Sequence, residues 1–337
     1  MKIRIAINGF GRIGRNLFRL LLNHPTIEVV AINDIADNRT MGHLLKYDSI
    51  HGVLASKVSS NETSIVVDEK PYMFFHEKEI KNLDWKFLNI DFVVEATGKY
   101  KTFEEINAHI VAGAKKVILS APAEVENIKT VVLGVNEHIL DGTETIISNA
   151  SCTTNNAAPM IQVIQQLCGI EQAYITTIHS YTTDQSLHDQ PHKDLRRARG
   201  AAQSIVPTTT GAAKALTKIF PELEGKIGGC GIRVPVADGS LTDITFNVKR
   251  EVTIEEINKA FQMVSGNELK GVLAYTEDPI VSVDIIGNTN SCLFDAQLTS
   301  VIDKMVKVVG WYDNEIGYSS RIIDLILLID KKTITFK

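Results

Sequence analysis

The sequence predicts an α/β protein that combines a doubly wound parallel sheet with a second α+β domain whose sheet is mostly antiparallel. Up to about residue 150, short apolar segments alternate with helical segments, which is typical of a parallel sheet covered on both faces. Beyond residue 152, extended segments follow one another with few helices between them. A chain of 337 residues is also longer than a single hydrophobic core usually supports.

In the first half, short apolar runs predict strands at residues 2–8, 27–32, 90–94, 117–119, 130–133 and 145–147. Helical spacing of apolar residues predicts helices at 12–22 and 103–112. Residues 53–75 are interpreted as an antiparallel hairpin inserted between the second and third main strands.

In the second half, the pattern predicts helices at 153–167, 211–219 and 254–264 and strands at 173–178, 231–235, 241–248, 280–286 and 304–311. The polar, arginine-rich segment 182–207 is expected to be a long functional loop. A final helix at 314–329 is expected to pack back on the first domain. We therefore expect one domain at 1–151, completed by the C-terminal helix 315–337, and another at 152–314.

Composition narrows the class of protein. Hydrophobic residues make up 44% of the chain and the net charge is −5, which excludes wholesale disorder and provides no basic field for nucleic acid. The four cysteines, Cys152, Cys168, Cys230 and Cys292, are far apart, so neither disulfides nor a metal site is predicted. Charges interrupt the N-terminal segment, and Asp324 interrupts the apolar run 322–329. A cytoplasmic protein without a membrane partner is expected.

A glycine motif follows the first predicted strand: Gly9, Gly11 and Gly14 form G-x-G-x-x-G and open a helix. Alone, the motif could be only a tight turn that needs residues without a Cβ. Asp34 ends the second predicted strand, about twenty residues later, where a carboxylate can bind ribose hydroxyls. Together these features predict a Rossmann-type dinucleotide site with the pyrophosphate at the helix N-terminus. Asp34 favours NAD over NADP, because a 2′-phosphate would lie near a like charge.

A second motif surrounds Cys152. The segment Ser148-Asn149-Ala150-Ser151-Cys152-Thr153-Thr154-Asn155 has the composition of a helix start. Cys152 is therefore expected near the positive end of a helix, which stabilises a thiolate, although most cysteines are small buried side chains. His179, at the end of a predicted strand, is a candidate base for a Cys–His pair or, alternatively, a hydrogen-bonded core residue.

These motifs resemble the phosphorylating glyceraldehyde-3-phosphate dehydrogenase family. Further matching segments lie at residues 194–199, 207–213 and 311–315, in the family's order and spacing. The resemblance implies a glycolytic, NAD-dependent enzyme that converts glyceraldehyde 3-phosphate and inorganic phosphate to 1,3-bisphosphoglycerate. The aldehyde would be bound as a thiohemiacetal and oxidised to a thioester on Cys152.

The resemblance also assigns roles to individual positions. Cys152 corresponds to the nucleophile and His179 to the base. NAD contacts are implied for Arg12, Ile13, Asp34, Lys78, Ser120 and Asn314, beside the motif glycines. The inorganic phosphate site corresponds to Ser151, Thr153, Thr210 and Gly211. The site for the substrate's own phosphate corresponds to Thr182, Asp184, Arg197 and Arg233.

Three positions depart from the family pattern. Asn156 replaces a second cysteine that is common in the family, which leaves the nucleophile intact. Lys78 stands where many members have Arg near the adenine, and Gln190 where NAD-specific members often carry Leu. The last two leave the strictness of NAD over NADP open.

Two other functions compete with this reading. Erythrose-4-phosphate dehydrogenase has the same fold and nucleophile, but it departs from the phosphate-loop sequence found here at residues 208–211. A redox-sensing or nucleic-acid-binding protein on the same fold is a second alternative, and the complete set of Cys152, His179 and Arg233 disfavours it as the main role.

The basic run 193–199 could be a solvated face or part of a nucleic-acid patch. The resemblance instead places Arg197 at the substrate phosphate and the other basic residues of the run on a loop at a subunit interface. A homotetramer is thereby implied.

Overall fold

The computed structural model describes residues 2–335. The chain divides into two compact units. The first consists of the chain up to Val131, of Glu137–Ala150 and of the chain from Ser319 onward, and the second of Val132–Asn136 and Ser151–Tyr318. The expected first domain and its C-terminal helix include residues 1, 336 and 337, which lie outside the described residues.

The first unit is an α/β structure whose central strands are parallel. Its elements in chain order are β1 (Ile3–Asn8), α1 (Arg12–Leu21), β2 (Ile27–Asn33), α2 (Asn38–Lys46), β3 (Tyr47–Asp48), β4 (Gly52–Val53), β5 (Val58–Ser60), β6 (Ser64–Val67), β7 (Lys70–Phe75), β8 (Phe92–Glu95), α3 (Phe103–Val111), β9 (Lys116–Leu119), β10 (Lys129–Thr130) and β11 (Ile146–Ser148). The main sheet has the order β10-β11-β9-β8-β1-β2-β7-β6-β5. Strands β5, β6 and β7 pair antiparallel, and β7 joins β2 in parallel.

The second unit contains a mostly antiparallel sheet. Its elements are α4 (Cys152–Cys168), β12 (Ile170–Ser180), β13 (Val206–Thr208), α5 (Ala212–Ile219), β14 (Ile227–Val234), β15 (Ser240–Val248), α6 (Ile254–Gly266), β16 (Leu273–Thr276), β17 (Cys292–Asp295), β18 (Ser300–Ile302) and β19 (Met305–Tyr312). The strand order is β13-β14-β12-β15-β19-β17-β16, with β18 also beside β19. Only the β12–β14 and β16–β17 pairs are parallel within the described residues. The predicted fold class is confirmed.

The last helix, α7 (Ile316–Thr335), runs almost entirely within the first unit. No helix within residues 2–335 combines the length and the apolar character needed to cross a membrane.

Local sequence explains how several helices begin. Thr102 and Glu105 form a reciprocal capping box at the start of α3, and Thr253 and Glu256 do the same for α6. Each box satisfies backbone N–H groups that have no partner inside the helix.

Some predicted elements are wrong. Residues 280–286 do not form a strand; a short 3₁₀ helix, Ser282–Ile285, lies there instead. Of the alternating apolar residues Val281, Val283 and Ile285, the first two are exposed and the third is buried, so the alternation does not form one buried face. The Asp284 side chain accepts a hydrogen bond from Val281 N at 2.8 Å, which favours a helical turn.

The predicted strand at 130–133 is confined to β10, because the chain turns where Val132 N donates to Asn136 Oδ1 at 2.7 Å. Helix α2 was not predicted, although Asp37 caps it by accepting from Thr40 N. Strands β16 and β17 were also not predicted.

Candidate active site

The first candidate site lies at the carboxyl ends of β1, β2 and β8, where the glycine motif turns from β1 into α1. A Cβ on Gly9 would lie 2.6 Å from Thr97 N, and a Cβ on Gly14 would lie 2.1 Å from Gly9 O, so both positions require glycine. A Cβ on Gly11 would meet nothing within 4 Å. Gly11 is the N-cap of α1, and no side chain caps this helix. An anion can therefore approach the backbone at the positive end of α1.

Beside this turn lies a cleft of about 500 Å³, a size suited to a small-molecule ligand. Its lining includes four of the predicted cofactor residues, Gly9, Gly11, Asp34 and Lys78. Arg12, Ile13, Gly14 and Ser120 belong to the same unit but do not line the cleft. The Arg12 guanidinium instead donates to Asp48 at 2.6 Å.

Asp34 has the chemistry expected of a ribose-binding carboxylate. Its Oδ2 accepts from Phe10 N at 2.7 Å and its Oδ1 from Ala36 N at 3.0 Å. A carboxylate offers about four acceptor positions, so each oxygen has capacity for a further donor such as a ribose hydroxyl. The cleft, the uncapped helix start and this carboxylate together fit a dinucleotide.

The second candidate site begins with Cys152, the first residue of α4. Ser151 is the N-cap of this helix, and its Oγ accepts from Thr154 N at 3.1 Å. The preceding residue, Ala150, has φ +56°. Such a left-handed conformation costs a non-glycine residue on the order of 1 kcal/mol. The local sequence thus places Cys152 at the helix start, as its neighbours predicted.

His179, near the end of β12, is buried beside Cys152, and its Nε2 lies 3.4 Å from Sγ. Burial and the nearby charge of Arg233 lower the pKa of His179 to about 3, so its imidazole is neutral at physiological pH. Burial raises the pKa of the Cys152 thiol, and this effect outweighs the opposing charge of Arg233 and the hydrogen bond from Thr153 N. These directions favour a resting thiol beside a neutral imidazole, while the thiolate expected from the helix start stays a prediction.

The other ring nitrogen of His179 has two close neighbours. Ser180 O and Arg233 Nη1 each lie 2.7 Å from Nδ1, and Arg233 Nη1 also donates to Ser180 O at 2.9 Å. If Nδ1 carries the proton, it donates to Ser180 O and leaves Nε2 as an acceptor facing Cys152. If Arg233 donates to Nδ1, the proton lies on Nε2. Only the first tautomer can accept the thiol proton.

A cluster of charged and hydroxyl side chains lies near this pair. Arg197 donates to Asp184 Oδ2 at 2.6 Å and to Thr208 Oγ1 at 2.9 Å, and Thr182 donates to Asp184 Oδ1. Burial acts to raise the pKa of the Asp184 carboxyl. The Thr182 hydrogen bond and the charges of Arg233 and Arg197 lower it by more, so the pKa lies below its ordinary value. The four residues predicted to bind the substrate's phosphate thus lie in one electrostatic neighbourhood.

The residues predicted to bind inorganic phosphate lie at two helix starts. Ser151 and Thr153 belong to the start of α4, and Thr153 Oγ1 lies 2.9 Å from Tyr312 Oη. Gly211 is the N-cap of α5, and Thr210 Oγ1 accepts from Ala212 N at 3.2 Å. Helix starts of this kind attract anions.

Asn314 is anchored within the second unit: its Oδ1 accepts from Ser180 Oγ at 2.8 Å and from Ser240 Oγ at 2.7 Å. These bonds fix the orientation of its carboxamide. The two serines and Tyr312 were not among the predicted site residues. The ring of Tyr312 packs edge-on against His179, with the ring centroids 5.9 Å apart. Tyr312 could have been identified from the sequence, because it belongs to the matching segment 311–315.

The chain is similar to known proteins along its length. Residues 151–314 match the family model for the glyceraldehyde 3-phosphate dehydrogenase C-terminal domain, and residues 3–103 match the model for its NAD binding domain. The glyceraldehyde-3-phosphate dehydrogenase of Geobacillus stearothermophilus is 52% identical over 334 residues, which cover 98% of this chain and 99% of the relative. Glyceraldehyde-3-phosphate dehydrogenase 2 of Streptomyces avermitilis is 52% identical and glyceraldehyde-3-phosphate dehydrogenase 1 of Bacillus subtilis 49%, with the same coverage.

Proposed function

The chain belongs to the glyceraldehyde-3-phosphate dehydrogenase family, and we propose that it oxidises glyceraldehyde 3-phosphate to 1,3-bisphosphoglycerate with NAD and inorganic phosphate. The predicted family and the predicted cofactor class are confirmed. The observation that carries the catalytic assignment is the 3.4 Å approach of Cys152 Sγ to His179 Nε2 at the start of α4.

The proposed mechanism starts from a thiol and a neutral imidazole. As Cys152 Sγ attacks the aldehyde carbon, its proton moves to Nε2 of His179 and from there to the aldehyde oxygen, which forms a thiohemiacetal. His179, neutral again, takes the hydroxyl proton as the C–H hydrogen leaves as hydride. NAD supplies the hydride acceptor when it is bound. The product on Cys152 is a thioester.

The second half of the reaction needs a bound phosphate. A phosphate oxygen attacks the thioester carbonyl, the C–S bond breaks, and Cys152 regains a proton from His179. We assign inorganic phosphate to Ser151, Thr153, Thr210 and Gly211, and the substrate's own phosphate to Thr182, Asp184, Arg197 and Arg233. Arginine supports the second assignment, because its planar guanidinium can donate two hydrogen bonds to one phosphate.

We assign the pyrophosphate of the cofactor to the start of α1 and its adenosine ribose to Asp34. Arg12, Ile13, Lys78, Ser120 and Asn314 are proposed as further contacts. The proposed NAD-binding domain is residues 1–151 with the C-terminal helix 315–337, and the proposed catalytic domain is residues 152–314.

A cytoplasmic homotetramer is part of the proposal. The assembly into a tetramer is supported by apolar side chains on the loop between β12 and β13. Leu187 and Leu195 are 71% and 81% exposed there, and Ile205 is also exposed. Apolar surface of this kind is typical of a protein–protein interface. Light scattering coupled to size-exclusion chromatography tests it: a monomer at micromolar concentration would contradict the tetramer.

The experiment that tests the proposed function measures NADH formation from glyceraldehyde 3-phosphate with and without phosphate. We expect turnover that requires phosphate. Erythrose-4-phosphate dehydrogenase is not favoured, because the relatives reported above are named glyceraldehyde-3-phosphate dehydrogenase. A higher kcat/KM for erythrose 4-phosphate, or turnover indifferent to phosphate, would overturn the proposal.

A further inference from the structure

Beneath the cleft of the first unit, a row of polar side chains joins the ends of three adjacent parallel strands. Asn33 ends β2, Asn8 ends β1 and Glu95 ends β8, and the three are paired in register. Asn33 Nδ2 donates to Asn8 Oδ1 at 2.7 Å, and Asn8 Nδ2 donates to Glu95 Oε2 at 2.5 Å. All three residues are buried, and Asn8 and Asn33 line the cleft.

The row continues away from the cleft through His109 of α3 to Trp85. Trp85 Nε1 lies 3.0 Å from His109 Nδ1, and His109 Nε2 lies 3.0 Å from Glu95 Oε2. Because an indole N–H can only donate, Nδ1 must accept and the imidazole proton must lie on Nε2, directed at Glu95. Trp85 thus fixes the tautomer of His109. Both residues are fully buried, and neither lines the cleft.

The other oxygen of Glu95 controls a turn that forms part of the cleft. Glu95 Oε1 accepts from Thr97 N at 2.9 Å and from Thr97 Oγ1. Thr97 and Ala96 line the cleft, and their backbone packs against Gly9 so closely that a Cβ on Gly9 would lie 2.6 Å from Thr97 N. The Glu95 carboxylate therefore sets the spacing between the turn after β8 and the glycine turn after β1.

At the far end of the row, Asn33 holds a third part of the cleft. Asn33 Nδ2 donates to Glu77 O at 2.9 Å, and Asn33 Oδ1 accepts from Glu77 N at 2.9 Å. Glu77 and the adjoining Lys78 line the cleft. A single chain of hydrogen bonds thus connects Trp85, on the side away from the cleft, to three backbone segments that line it.

We propose that His109 and Trp85 are positioning residues for the dinucleotide, acting through Glu95 on the turns that frame the cleft. The inference rests on the proposed cofactor site. Burying a carboxylate and an imidazole costs desolvation free energy, which apolar side chains of similar size would avoid. What the row provides in return is a fixed geometry of polar groups at the cleft, because a fully satisfied buried network has one arrangement of donors and acceptors. Residues that orient a site from behind commonly change affinity when they are substituted.

The test compares four variants of the full-length protein. H109L removes both hydrogen bonds of the imidazole, whereas H109Q keeps one donor and one acceptor. W85F removes the N–H that fixes the tautomer. I106V is the matched control, because Ile106 is a buried residue of the same helix that packs in the core and forms no part of the row. NAD affinity is measured by isothermal titration calorimetry, beside kcat, the KM values of both substrates and of NAD, and Tm.

We expect H109L to raise the Kd and KM for NAD about tenfold while kcat and the KM of glyceraldehyde 3-phosphate change less than about twofold. H109Q should recover most of the affinity, and W85F should lose about threefold. I106V should lower Tm and leave NAD affinity unchanged.

If His109 and Trp85 only stabilised the fold, the variants would behave differently. NAD affinity that is unchanged in both H109L and W85F, or lowered equally in I106V, would overturn the inference. If H109L fails to fold, an unchanged Kd in W85F overturns it. Absence of NAD binding by the unmodified protein would instead overturn the proposed cofactor site itself.

Discussion

Nη1 of Arg233 lies 2.7 Å from Nδ1 of His179, the ring nitrogen that does not face Cys152. The same guanidinium is assigned to the substrate's phosphate. A phosphate that draws Arg233 away from Nδ1 leaves this nitrogen to donate to Ser180 O, which is the tautomer in which Nε2 can accept a proton from Cys152. Under this proposed assignment, one side chain would connect substrate binding to the tautomer of the base.

Replacing Arg233 should separate phosphorylated from unphosphorylated aldehydes. We expect R233Q to lower kcat/KM for glyceraldehyde 3-phosphate about ten- to a hundredfold, since a charge-assisted hydrogen bond contributes about 1.5–3 kcal/mol. Activity on unphosphorylated glyceraldehyde at neutral pH should not fall, because loss of Arg233 leaves Nδ1 of His179 to donate to Ser180 O. R197Q is the matched comparison and should have a smaller effect, because Arg197 is already paired with Asp184 at 2.6 Å. Equal losses on both aldehydes would contradict the assignment.

Arg233 should also shift the pH dependence of the reaction. Burial and then the charge of Arg233 lower the pKa of His179 to about 3. R233Q removes the second cause, so the pKa should rise, and His179 should become protonated and inactive as a base at a higher pH than before. The acid limb of kcat/KM for unphosphorylated glyceraldehyde should move to higher pH. An unmoved limb would argue against His179 as the base.

Asp34 should determine the preference for NAD. Its carboxylate is proposed to bind ribose hydroxyls and to repel a 2′-phosphate. D34N should narrow the ratio of kcat/KM for NAD to that for NADP, chiefly by weakening NAD. D37N makes the same charge change at the N-cap of α2, outside the cleft lining, and should leave the ratio unchanged. Similar kcat/KM values for NAD and NADP in the unmodified enzyme would contradict this role of Asp34, and Gln190 would then be the residue to test.

Asp238 should make stability depend on pH. Burial and the nearby Asp313 and Glu315 raise its pKa to about 8 in the folded protein. Between the unfolded value of about 4 and this value, the folded state binds a proton that the unfolded state has released. The free energy of unfolding should therefore fall as pH rises, by at most about 1.4 kcal/mol per pH unit from this group.

The D238N variant tests this dependence, because a neutral amide does not titrate. Its Tm should decline less between about pH 5 and about pH 8 than that of the unmodified protein, because this window lies between the unfolded and the folded pKa of Asp238. The exposed Asp278 offers the control, since D278N should leave the pH profile as it was. Parallel profiles for D238N and the unmodified protein would show that Asp238 is not responsible.

Features that depend on neighbouring residues in the sequence were the most predictable. The turn from β1 into α1, the carboxylate of Asp34 at the end of β2 and the helix start at Cys152 each follow from a few adjacent residues. The approach of His179 to Cys152 could only be proposed, because spacing along the chain does not say which strand end lies beside which helix start.

Other features depend on burial or on scattered positions and were missed. The raised pKa of Cys152 results from the protein packed around Sγ, which the helix start alone does not reveal. Trp85 lies in a turn, Glu95 in β8 and His109 in α3, and no motif connects them. The segment 280–286 has strand-like alternation, yet the local hydrogen bond that Val281 N donates to the Asp284 carboxylate favours a helical turn.

The central claim is that Cys152 carries the acyl group between oxidation and phosphate attack. The most direct measurement mixes the unmodified protein with glyceraldehyde 3-phosphate and NAD in the absence of phosphate. NADH formation is followed while intact-protein and peptide mass spectrometry locate any adduct. We expect a burst of NADH of about one equivalent per subunit and an acyl group on the peptide that contains Cys152. Added phosphate should remove the group, and C152S should show neither burst nor adduct. Steady turnover without phosphate, or a burst that leaves Cys152 unmodified, would contradict the account.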